Sequence, residues 1–134
     1  MNTKLIWVLI ISIWIIGLAI LFSPISYVSY IANAQEQLHI KTYAFDAILN
    51  KWGDKQWSYF SDLIYRESGW IPDRKNPNSS AYGLAQFLNG TWKTVGCEKT
   101  EDEYKQIDCA IKYIELRYTT PKKAIEFHNK NNYY

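Results

Sequence analysis

In the segment LIYRESGW, residues 63–70, a glutamate stands where an amphipathic helix would bury an apolar side chain. At about 100° per residue, Phe60, Leu63 and Ile64 fall within roughly 60° of Glu67. Arg66 and Ser68 project to either side, so drift of the solvent face does not account for the charge. Burying an ionised carboxylate without partners costs several kcal/mol, and such a group raises its pKa and keeps its proton. A carboxylic acid still protonated near neutral pH is what general-acid cleavage of a glycosidic bond requires. The expected reagent is therefore Glu67.

A retaining or inverting glycosidase needs a second carboxyl group at about 5 to 9 Å. Between Ser68 and Cys97 the only other acid is Asp73, in the turn PDRKNP. It reads either as that second group or as a solvated turn residue. If it is the latter, the nucleophile must come from the substrate.

A helix over 55–68 must position Glu67, with Asp54 as its cap and Gly69 as its stop. Before it, Leu38, Phe45, Ile48, Leu49 and Trp52 suggest a helix from Gln35 to Trp52, ended by Gly53. After it, residues 69–90 are rich in Pro, Asn, Ser and Gly, the composition of irregular loop or a short β-hairpin. Thr91 could cap a brief helix to Val95. Thr100 and Glu103 form a capping box for a helix in which Tyr104, Ile107, Ile111, Ile114 and Tyr118 repeat at threes and fours. Thr120 and Pro121 open a last short helix through about His128. The expected fold is mainly α, with the loop region as its only β character.

The chain of 134 residues begins differently. Leu5 to Phe22 are eighteen residues without a charge, about 27 Å as a helix, close to the thickness of a bilayer core. Residues 1–23 read as a transmembrane anchor and 24–42 as a linker, tyrosine-rich at the bilayer surface, with the start of the first helix. Residues 43–134 read as a single domain. Lys4 is the only basic residue before Lys41, which places the N-terminus in the cytoplasm and the domain outside it, at the periplasm or cell surface. The alternative is a signal peptide cleaved after ANA, with small residues Ala32 and Ala34 at the required positions, giving a secreted domain.

Beyond residue 34 lie all 13 acidic residues and all but one of the 15 basic ones, so charge offers nothing to nucleic acid. Tyrosine and tryptophan are spread along the domain, as suits a cleft that stacks on sugars, although cores use them too. Cys97 and Cys109 have no histidine nearby, which disfavours zinc; outside the cytoplasm a disulfide is expected, with two reduced thiols as the alternative. No metal or cofactor is called for.

The stretch RESGWIPDRKNPNSSAYGLAQFLNGTW, 66–92, resembles the signature of lytic transglycosylases of the lysozyme-like superfamily. That group includes the soluble lytic, resuscitation-promoting-factor and aggregation-promoting-factor branches. Glu67-Ser68 followed by YGLAQF is the specific part, and AIEFHNKNNYY resembles the aggregation-promoting-factor terminus. The resemblance runs from about Tyr43 to the end and implies a small lysozyme-like α+β domain. It further implies that Glu67 acts as acid and then base, that the C6 hydroxyl of N-acetylmuramic acid is the nucleophile, and that 1,6-anhydro ends result. Ser68, Tyr82, Gly83 and Gln86 would line the cleft, with Gln86 binding substrate. Tyr113, in AIKYI at 110–114, would orient the glutamate. Where relatives carry glycine and tryptophan this chain has Asn132 and Tyr133, which leaves His128 without an implied role.

Read from the residues alone, Gly83 equally serves a tight turn and Gln86 a loop carbonyl. Tyr113 is off the face of Ile107, Ile111 and Ile114, facing either solvent or a second packed surface. His128 reads as a helix-end residue, and Trp70 and Trp92 as core or sugar platforms. The expected function is a peptidoglycan lytic transglycosylase acting on glycan strands close to the membrane. A local opening for a secretion, conjugation or phage machine is the natural use. The rivals are a hydrolytic muramidase and a non-catalytic wall-binding module.

Overall fold

The computed structural model describes residues 24–131 and 133. The expected anchor over residues 1–23 lies outside the described residues. Among those described, no helix is long and apolar enough to cross a membrane.

The described residues are mainly helical, with five α-helices. Helix α1, Pro24–Trp52, starts ahead of the expected start at Gln35, so the supposed linker after residue 23 is helical. The reason is local: proline is tolerated in a first turn, and no glycine or proline follows until Gly53. Among the described residues, those up to 36 belong to one unit and those from 37 onward to a second. In the first unit Ile25, Tyr27, Val28 and Tyr30 are exposed.

In the second unit α1 buries Ile40, Ala44 and Ile48, a stripe at spacing four. Leu38 and Leu49, expected on that face, are exposed instead. Gly53, at φ 88°, ends α1, and its N–H donates to the Leu49 carbonyl at 3.0 Å. A 3-10 turn, Asp54–Gln56, follows, in which Asp54 accepts from Lys55 N–H at 2.8 Å rather than capping a longer helix.

Helix α2, Trp57–Ser68, ends on Gly69 in the left-handed region, whose N–H donates to the Tyr65 carbonyl. Phe60, Leu63 and Ile64 are completely buried, each contributing about 1.5–3 kcal/mol of apolar transfer. The aromatic wall around them is built from Trp57, Phe60 and Trp70.

The 69–88 loop forms two isolated antiparallel bridges, Lys75 with Tyr82 and Tyr82 with Phe87, in place of a hairpin with strands. Gln106 holds it shut. Its buried amide accepts from Leu84 N–H at 2.7 Å and donates to the carbonyls of Pro72 and Thr100, both at 3.0 Å. Gly83 belongs to this clasp. Its φ is +81°, and a Cβ there would lie 2.5 Å from the Gln106 side-chain oxygen, so only glycine fits.

Helix α3, Asn89–Thr94, has its cap position at Leu88, three residues before the expected Thr91. Helix α4, Glu103–Tyr118, is capped by Asp102, which accepts from the N–H groups of Tyr104 and Lys105. Thr100 instead accepts from Asp102 N–H at 3.1 Å, one step outside the expected capping box. Helix α5, Pro121–Asn131, packs on both α2 and α4. Lys122 N–H donates to Gln56 at 3.0 Å, tying its first turn to the 3-10 segment.

Cys97 and Cys109 form a disulfide with Cα atoms 6.3 Å apart, joining the segment after α3 to the middle of α4. Closing so short a ring stabilises a small domain by about 2–3 kcal/mol. Replacing both cysteines with alanine, or reducing the bridge, should lower the thermal midpoint by roughly 10 °C; calorimetry under oxidising and reducing conditions measures this.

Candidate active site

The apolar stripe of α2 continues into Glu67. Its side chain is only 17 % exposed, and burial pushes its pKa up to about 7. The adjacent Arg66 is occupied elsewhere, donating to Asp62 and to Asn129 of α5, each at 2.8 Å. Glu67 also sits at the helix C-terminus, where the macrodipole gives a carboxylate no help.

Glu67 opens onto a cleft of about 400 Å³ whose polar lining includes Gln86, Thr91, Tyr113, Arg117 and Tyr133. This volume is within the range of small-molecule sites. Among the described residues Glu67 is the only acid in the lining; Asp73 is exposed in its turn and is not part of it. A larger recess of about 480 Å³ lies near Lys75, Tyr82, Lys99 and Glu101, where the carboxyl group is solvent-exposed. Size alone therefore does not mark the site.

Gln86 reaches the cleft from a left-handed backbone, φ 48°, which is uncommon for a residue with a side chain. Its side-chain amide donates to the carbonyls of Gly83 at 2.8 Å and Arg74 at 3.1 Å. Gln86 thus serves loop carbonyls and also lines the cleft. Tyr113 is buried on a second packed surface, edge-on to Phe87 and Tyr118, and accepts a hydrogen bond from Arg117 Nη1.

The other expected lining residues lie elsewhere. Ser68 is buried and its hydroxyl donates to the Ile64 carbonyl at 3.2 Å, because the residue after Glu67 turns into the core. Tyr82 pairs with both edges of the loop and borders the larger recess. Gly83 faces Gln106. Trp70 and Trp92, at 1 % and 3 % exposure, are core residues and not sugar platforms.

His128 of α5 places Nε2 3.3 Å from a Glu67 carboxyl oxygen. Burial chiefly, and then the nearby Arg66, hold its pKa below the usual imidazole value, with Asp62 acting in the opposite direction. The sequence carried a signal for this placement: Pro121, Ala124, Ile125 and His128 have the spacing of one helical stripe, and the first three are buried. Arg117 and Thr91 had no such marker.

The pair gives the site a pH window. Glu67 holds its proton more tightly folded than unfolded, so its contribution to stability is complete below about 4.5 and is lost as pH rises through about 7. His128, depressed, contributes in the opposite sense, and its share is lost as pH falls below 6.5. Glu67→Gln should therefore match the wild-type thermal midpoint at pH 4 and exceed it by about 4 °C at pH 8, read by calorimetry across pH. His128→Gln should leave the alkaline limb of any pH–rate profile near 7 and flatten the acid limb, because an imidazolium beside Glu67 would pull its pKa down from about 7, out of the range in which one carboxyl group serves as both acid and base. Searches for a matching family model, a similar curated protein and a similar solved structure each return none for this chain, so its function rests on the geometry of this cleft.

Proposed function

We propose that this protein is a lytic transglycosylase that cleaves the bond between N-acetylmuramic acid and N-acetylglucosamine in peptidoglycan. The observation that carries the reading is a single, largely dehydrated glutamate, its pKa raised to about 7, in a cleft with no other acid among its described lining residues. A two-carboxylate hydrolase is poorly served by that arrangement. The resemblance of residues 66–92 to the transglycosylase signature points the same way.

In this mechanism the Glu67 carboxyl group delivers its proton to the glycosidic oxygen as the bond to the muramic acid C1 breaks. The N-acetylglucosamine leaves as an alcohol. The substrate's acetamido group stabilises the cationic centre, and Glu67, now a carboxylate, takes the proton of the C6 hydroxyl as that oxygen closes on C1. The acid is regenerated, no water is consumed, and the product is a 1,6-anhydro sugar. Gln86 and Tyr113 border the space in which the sugar would lie.

The uncharged run from Leu5 to Phe22 would hold the domain on the outer side of a membrane and confine cutting to nearby wall. Local opening for an envelope-crossing assembly fits such an anchor.

Glu67→Gln should lower the rate of glycan release from purified sacculi by roughly 10²–10⁴-fold while leaving sacculus binding intact. Mass spectrometry of wild-type products should find ends one water lighter than reducing ends. Reducing ends would identify a muramidase, and binding with no release at any pH would identify a wall-binding module.

A further inference from the structure

The same cleft contains a cation that the cleavage chemistry does not use. Arg117, on the last turn of α4, lines it together with Glu67. Its guanidinium lies over three aromatic rings, 5.6 Å from the centroid of Tyr113, 5.4 Å from Tyr118 and 5.6 Å from Phe127. One of its five N–H donors is given to the Tyr113 hydroxyl. Among the described residues it forms no ion pair; the nearby Glu115 is engaged by Lys51 at 2.7 Å.

An arginine on a surface helix ordinarily gives its freedom to water. Here stacking on three rings and a hydrogen bond have already restricted the side chain, which lowers the entropy lost when a ligand docks. Its free donors suit a carboxylate, which a guanidinium can grip through two parallel hydrogen bonds. Glycan strands are otherwise neutral at the sugar rings. The muramic acid lactyl arm is what distinguishes them from chitin, and it carries a carboxylate either directly, when the strand is peptide-free, or on the glutamate of an attached stem.

We infer that Arg117 is a specificity-determining residue that binds a carboxylate borne on the lactyl arm of the muramyl unit, so that this cleft discriminates muramyl glycan from neutral N-acetylglucosamine polymers. The inference rests on the peptidoglycan reading above and extends it to a particular substituent. A lysine would keep the charge but lose the stacked, two-pronged geometry, so Arg117→Lys is the conservative comparison and Arg117→Gln the charge deletion.

The test is calorimetric binding to the full chain in detergent, carrying Glu67→Gln so that nothing turns over. Four probes are compared: an N-acetylglucosamine–N-acetylmuramic acid tetrasaccharide with free lactyl groups; the same with L-alanyl-D-glutamate stems; the same stems with both carboxylates as amides; and chitotetraose. Adding Arg117→Gln should weaken one acidic probe at least tenfold, Arg117→Lys should weaken it less, and the amide and chitotetraose should be unaffected. Which acidic probe responds tells the free lactyl group from the stem as the source. Equal weakening of all four probes would make Arg117 merely structural, and no change in any would remove it from recognition; either result overturns the inference while sparing the transglycosylase reading. Failure of every muramyl probe to bind, with or without Arg117, would sink both.

Discussion

The structure depends on keeping one carboxyl group away from water without giving it a cationic partner. Glu67 meets this condition because α2 is committed to the core: Phe60, Leu63 and Ile64 are completely buried, and the next residue on the same face cannot turn outward without unpacking them. The neighbouring arginine, which could have neutralised it, is held by Asp62 and Asn129. Desolvation is thus left uncompensated, and the proton stays. Stability is sacrificed locally at neutral and alkaline pH, the usual pattern where a group is poised for chemistry.

The opposite wall of the cleft is a loop without regular strands, and it is made rigid by side chains in place of a sheet. Gln106 joins Pro72, Leu84 and Thr100 through three hydrogen bonds, and Gly83 allows its approach. A buried amide with these partners satisfied orders a polar loop that could not hold itself through backbone pairing. Gln86 then projects from a left-handed residue held by two carbonyls. The disulfide and the cap at Asp102 fix α4 beneath it, so Tyr113 and Arg117 reach the cleft from a stiff element.

Much of the fold was legible because helices announce themselves within one or two turns. The stripe of α2, its glycine stop, the α4 repeat and the start of α5 at Pro121 all followed from local spacing. Errors came where local signals compete. The capping box expected at Thr100 and Glu103 gives way to a cap at Asp102, two residues nearer the helix. Leu38 and Leu49 fit a periodic face with Ile48 on paper, yet it is Ile40 and Ala44 that join Ile48 in the core, since burial is set by where the partner helices lie.

By itself, the sequence determined that an acid lies on an apolar helical face, that the cysteines are near enough in the chain to be joined, and that the loop after α2 is rich in turn residues. Each is a property of neighbours along the chain. Only the tertiary structure brought Arg117 into the cleft that Glu67 shares with Gln86 and Tyr113, and set His128 of α5 against the Glu67 carboxyl group. It also sent Ser68, Tyr82 and Gly83 elsewhere, although they flank the same signature. Helical and turn geometry reach only a few residues, whereas the cleft is made where separate elements pack, and that depends on the volume and burial of the whole core.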